Sequence, residues 1–250
     1  MRPGLALLLF STVVMAGCQG ALSEAENSPT TRAPLSSPPD PGQPPLDDGL
    51  AASERDVIAA STVRVTGVAC GRTTEGSGFA VANDLIVTNA HVLVGVSQPT
   101  IELGPERHLT GSVIGHDLDQ DLALIRVGDA NFVPLPLANA VDGAVGAIFG
   151  WEPEPQVDAT PFRLDREVIV RIEAVGSAVR VERPSLLLAA SIESGDSGAA
   201  VVNSDGAVIG VAYAASTSNG NAAYAVASSE VERLIRDAQT GAEIAPVGEC

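Results

Sequence analysis

Ser194-Gly195-Asp196-Ser197-Gly198, followed by the apolar run Ala199–Val202, is the stretch on which the reading of this 250-residue chain turns. Two glycines around a serine permit a tight turn in which the backbone N–H groups of Gly195 and Ser197 point to one spot. That is the geometry needed to hold the oxyanion of a tetrahedral intermediate. An ordinary Gly/Ser/Asp turn between strands has the same composition, so the segment alone decides nothing.

Outward from it the pattern is short β-prone runs broken by turn residues. Asp205-Gly206 reads as a hairpin turn before Val208–Ala214. Upstream, Ser61–Ala69 alternates Val with polar residues, as a half-buried strand would, and Asn83-Asp84 separates Ser77–Ala82 from Leu85–Thr88. Further strands are expected at Thr100–Leu103, Gly111–Gly115, Leu122–Val127, Val145–Phe149, Val168–Val175 and Leu186–Ile192. Asp129 to Gly143 carries two prolines and no period, and could connect two halves. Ser229-Glu230-Val231-Glu232 reads as a capping box opening a helix to about Gln239. Ten or more short strands with one terminal helix indicate an all-β sandwich or barrel.

Composition narrows the function classes. The chain carries 31 acidic residues against 14 basic ones, all arginine, for a net charge of −17. Such a surface offers no basic footprint for nucleic acid. Arg2, the apolar run Leu5–Val14 and Met15-Ala16-Gly17-Cys18 read as an export signal too short to span a bilayer. The cysteine behind small residues resembles a lipoprotein signal, with cleavage before Cys18, acylation of its sulfur and anchoring to a lipid bilayer on the extracytoplasmic side. A transmembrane anchor, or an ordinary secretory signal, is the alternative. Residues 18–50, with seven prolines between 19 and 50, read as a disordered linker, roughly 30 Å across if flexible and about 100 Å if extended. Residues 51–250 are expected to be a single folded domain. Cys70 and Cys250 are left; in an exported protein they are expected to pair, which the chain-entropy model rates at about 5 kcal/mol. Two free thiols are the alternative.

Two upstream segments add chemistry. Thr88-Asn89-Ala90-His91-Val92 places a histidine at a strand end, where it could be a general base or a structural donor. Asp121 opens the apolar run Leu122–Ile125, where a half-buried carboxylate is costly unless something donates to it. An imidazole Nδ1–H is one such donor. Strand capping is the plainer role, and it suits Asp117 and Asp119. No metal or other cofactor is expected. His91, His108 and His116 lack ligand spacing, and the cysteines are better explained by each other.

His, then Asp, then Ser along an all-β chain is the order of one serine-hydrolase class and not of the α/β type. The strings TNAHV, DLALI and GDSG resemble the matching motifs of the chymotrypsin-like (trypsin-like) serine proteases. The resemblance runs over nearly all of residues 61 to 240. Within the family it resembles bacterial periplasmic members such as a mycobacterial acid-resistance serine protease, whose cysteine pattern Cys70 and Cys250 also match. It implies two six-stranded antiparallel β-barrels, a C-terminal helix and a site in the cleft between the barrels. It further implies Ser197 as nucleophile, His91 as general base and Asp121 as its orienting partner. Gly195 and Ser197 would form the oxyanion hole, and a polypeptide would be the substrate.

The match departs from the family at three points. Members activated by cleavage bury a new N-terminal amine against the aspartate before the serine. Asp196 stands there, so an internal donor must satisfy it or the turn rests in an inactive form. The floor of the specificity pocket falls near Ser191, with no acid to select Arg or Lys. Ala222 and Ala223 stand where the family often has glycine, favouring small or medium apolar side chains. Signal, linker and one catalytic domain are expected to account for every residue, with no peptide-docking module. The competing reading is an inactive or latent protease-fold lipoprotein acting as a binding module. Oligomeric state is not legible.

Overall fold

Strands that are apolar on every residue need cover on both faces, and this chain supplies it by packing two β-structures against each other. The computed structural model describes residues 40–69, 71–104, 106–151, 157–240 and 247. In the first half, β1 (Thr62–Ala69), β2 (Arg72–Ala82), β3 (Leu85–Thr88), β4 (Thr100–Glu102), β5 (His108–Thr110), β6 (Ser112–Asp117) and β7 (Leu122–Arg126) form one antiparallel sheet. Its order is β5-β4-β1-β2-β3-β7-β6. In the second half, β8 (Val145–Trp151), β9 (Val157–Glu173), β10 (Arg180–Ala189), β11 (Ala200–Asn203), β12 (Val208–Ala215) and β13 (Ala222–Ala227) close into a barrel. Helix α1 (Ala52–Ser61) precedes the strands and α2 (Ser228–Gln239) follows them. The two-part all-β architecture with a terminal helix matches expectation. The first half has seven strands instead of six, because the short β5, which pairs Thr110 with Thr100 of β4, adds one at the edge.

The period of two in each strand sorts side chains between three apolar clusters. On β7, Ala123 and Ile125 enter the first-half core with Val63, Val65 and Ile86. Leu122 and Leu124 point the other way, against Phe149, Val202 and Val226 of the second half. On β11, Val201 fills the barrel interior while Ala200 and Val202 join that shared layer. Val231 and Leu234 of α2 complete the layer. Each unbroken apolar run is thus a strand buried on both faces.

The connection expected between Asp129 and Gly143 runs from one half to the other. Phe132 N–H donates to Asn83 O and Leu135 N–H to Ala80 O, and then Ala138 N–H donates to Val208 O, each at 2.9 Å. Two expectations need correction, and one helix was not foreseen. The Ser229–Glu232 capping box does not form: α2 begins at Ser228 with Ala227 at the N-cap, and Ser228 Oγ instead donates to Ala138 O. Helix α1 had no apolar period to announce it, since only Ile58 and Ser61 are buried. Finally, the linker expected to reach residue 50 is packed from residue 40 onward. Pro41, Asp48 and Leu50 are buried, Arg163 Nη2 donates to Pro41 O at 2.7 Å, and Arg55 Nη2 pairs with Asp48 Oδ1 at 2.6 Å. Residues 1–39, and with them Cys18, lie outside the described residues, as do Cys70 and Cys250.

Candidate active site

β3 delivers the histidine. After Thr88 the chain turns into a short 3-10 helix, Ala90–Leu93, which carries His91 with its ring 39% exposed. Asn89 Nδ2 and Ala90 N–H both donate to Asp121 O, at 2.8 and 3.2 Å. These bonds fix the His91 turn to the start of β7. Asp121 itself adopts a left-handed backbone, φ 59°, which a non-glycine residue holds at a cost of roughly 1–3 kcal/mol. That conformation turns its carboxylate back toward the helix. Oδ1 accepts the His91 backbone N–H at 2.8 Å, and Oδ2 lies 2.7 Å from His91 Nδ1. An ionised carboxylate only accepts, so Nδ1 carries the proton and Nε2 is the nitrogen left basic.

The serine turn is held from both halves. Ser77 N–H, on β2, donates to Ser197 O at 2.7 Å, and Gly198 N–H donates to Ala212 O at 2.9 Å. Gly198 has φ +90°, and a Cβ there would fall 2.1 Å from Ser77 O, so both conformation and space demand glycine. A Cβ on Gly76 would meet Ser197 O and a Val92 methyl, each at 2.7 Å. The backbone of Ser197 and the residue after His91 therefore flank one bare Cα. This close approach brings the serine turn and the histidine turn to one place between the halves.

Gly195 has φ +115°, and its carbonyl accepts a hydrogen bond from Ser77 Oγ at 2.7 Å. The same hydroxyl oxygen accepts Trp151 N–H at 2.8 Å. Asp196 is satisfied within the chain. Its Oδ2 accepts the Glu193 N–H at 2.8 Å, and a Cβ on Gly150 would come within 1.8 Å of Oδ1. A new N-terminal amine is not needed to give that carboxylate a donor.

Comparison with known proteins agrees with the two-part all-β fold. A family model described as a trypsin-like peptidase domain matches residues 76–211, more than half of the chain. The chain belongs to the trypsin-like peptidase family. It is 29% identical over 189 residues to the serine protease Rv3671c of Mycobacterium tuberculosis, covering 73% of this chain and 46% of that protein. A probable periplasmic serine endoprotease, DegP-like, of Halomonas elongata is 33% identical over 140 residues, 54% of this chain and 28% of that one. The chain thus spans less than half the length of these relatives. The crystal structure of the Rv3671c protease in its active form superposes with TM-score 0.77 at 24% identity, covering 87% of this chain and 97% of that one.

Within this trypsin-like peptidase the structure gives two hydroxyl residues parts that the sequence reading did not assign. Ser77 and Thr88 lie inside ordinary strand runs, yet Thr88 Oγ1 donates to Ser77 O at 2.7 Å and Ser77 ties the Gly195 turn to β8. Each is a hydroxyl beside a short apolar stretch, Ser77 before Phe79–Val81 and Thr88 after Leu85–Val87. Ser191, placed at the pocket floor by counting from the serine, is exposed beyond the end of β10. Ala222 and Ala223 are buried on β13, opposite Ala189 and Leu188. Among the described residues no group of histidines and carboxylates could hold a metal ion.

Proposed function

We propose that this peptidase-family hydrolase is a serine endopeptidase acting through an acyl-enzyme outside the cytoplasm. Ser197 is the nucleophile. His91 Nε2 takes its proton and then returns one to the leaving amine, while Asp121 fixes the tautomer and stabilises the imidazolium. The N–H groups of Gly195 and Ser197 hold the oxyanion, where one donor is worth about 100- to 1,000-fold in rate. The observation that carries this reading is the double grip of the Asp121 carboxylate on His91, from its ring and from its backbone. The close approach of the Ser197 backbone to Gly76 and Val92 supports the nucleophile assignment.

The substrate is a polypeptide, and the alanines at 222 and 223 with Ser191 favour a small or medium apolar residue before the cut. Anchoring is assigned to acylated Cys18, on the signal-like run before it and on the periplasmic description of DegP-like relatives. No helix among the described residues is long and apolar enough to cross a membrane. A Cys70–Cys250 bridge is supported by its neighbours: Ala69 and Val247 pack in one core cluster, and Gly95 N–H donates to Val247 O at 2.8 Å.

Hydrolysis of an unfolded protein substrate tests the mechanism. Ser197→Ala and His91→Ala should each abolish turnover above the binding-and-oxyanion background, and Asp121→Asn should lower kcat by about 10,000-fold. Turnover above that background in Ser197→Ala would refute it.

A further inference from the structure

Arg183 is 1% exposed, on β10 of the second half, where an arginine is rarely found without full pairing. Its side chain crosses to the first half. Nε donates to Asp119 O at 2.7 Å, and Nη1 lies 3.7 Å from Asp121 Oδ2. The guanidinium carbon stands 4.8 Å from the centre of the Tyr213 ring, whose hydroxyl lies 2.8 Å from Ser185 Oγ. Nη2 has no hydrogen-bond partner among the described residues. An apolar side chain of the same volume would fill this site without the cost of dehydrating a cation, and such replacements are often neutral or stabilising. Packing alone therefore does not explain the charge.

What the charge faces does explain it. The Asp121 carboxylate meets His91 twice, with the backbone N–H at Oδ1 and the ring Nδ1 at Oδ2. Arg183 approaches the same Oδ2 from the second half and holds the carbonyl of Asp119, two residues earlier in the turn. The turn contains the left-handed Asp121, a conformation that persists only where surroundings over-determine it. We propose that Arg183 is a positioning residue for the catalytic aspartate, setting the Asp119–Asp121 turn and the aim of the Asp121 carboxylate at His91. It acts through the Asp119–Asp121 turn. This inference rests on the triad reading above.

The test compares the full chain with its Arg183→Met and Arg183→Gln variants, in hydrolysis kinetics on active-site-titrated enzyme and in thermal melting. Arg183→Met should keep KM and lower kcat and kcat/KM together by about 10- to 100-fold, the cost of an ångström-scale misplacement of a reacting group. In an Asp121→Asn background, Arg183→Met should cost nothing further, because residues acting through one another are not additive. Arg183→Gln, which can still donate to Asp119 O, covers the case in which the methionine variant does not fold, and should also lose kcat with KM held. Wild-type kcat in either folded variant would overturn the role of Arg183, as would full additivity with Asp121→Asn. Failure of the triad reading is distinguishable, because the unmodified chain would then show no turnover at all.

Discussion

The hydroxyl of Ser77 shows how much a single strand residue contributes to this site. It lies on β2, is fully buried, and joins Gly195 of the serine turn to Trp151 of β8. Holding the Gly195 carbonyl restrains the glycine whose N–H would face the oxyanion. Ser77→Ala should therefore lower kcat about 10- to 100-fold with KM little changed, less than the loss of a direct donor. Steady-state kinetics with a single peptide substrate would check it, and an unchanged kcat would remove Ser77 from the account. His91, Asp121 and Ser197, the residues proposed as base, orienting acid and nucleophile, were marked in the sequence by their neighbours: a strand end before the histidine, an apolar run after the aspartate, glycines around the serine. Ser77 and Arg183 were not, because their partners lie 118 and 64 residues away along the chain. No local pattern encodes such a pairing.

At the scale of elements, the period-two strands were readable wherever both faces are apolar, and less so where burial alternates irregularly. β9 runs for 17 residues, of which the sequence suggested only the last part, because polar side chains and Pro161 break its alternation. Helix α2 was legible from the Ser229–Glu232 segment although the capping box read there does not form, but what fastens it was not. Arg233 Nη2 reaches Asp117 Oδ2 on β6 at 2.5 Å and also Glu230 Oε2 at 2.8 Å. Burial would raise the Asp117 carboxyl, yet the Arg233 hydrogen bond and the N–H groups of Gln120 and Asp119 outweigh it and hold it below its ordinary value. A carboxyl depressed in the folded state adds stability above its unfolded value near 4, and that stability is lost as pH falls through the lower folded value. Asp117→Asn should thus destabilise by about 1 kcal/mol at neutral pH, discounted for the partial exposure of Arg233. The gap in melting temperature between the variant and the unmodified chain should close as pH falls below about 4. A gap constant down to pH 2 would contradict this origin of the stability.

For the whole molecule, the boundary of the folded body is the point at which composition misled. Prolines and small residues to position 50 read as a chain unable to order itself, yet Leu50 and Asp48 are buried and Asn219 Nδ2 donates to Asp40 Oδ1 at 3.2 Å. Few of these residues are apolar, so the segment is ordered by what it docks on and not by its own pattern. A chain beginning at residue 51 forfeits the burial of Leu50, worth about 1.5–3 kcal/mol, together with the Asp48–Arg55 pair. Its melting temperature should fall by roughly 5–10 °C relative to a chain beginning at residue 37. Equal melting temperatures would show that the segment adds nothing.

The most direct test of the central claim is mass spectrometry of the chain after reaction with a fluorophosphonate, which phosphonylates a serine only where base and oxyanion hole are assembled around it. The account predicts one adduct, on Ser197, absent from the Ser197→Ala and His91→Ala variants. A folded chain that remains unmodified, or an adduct on another serine, would contradict it.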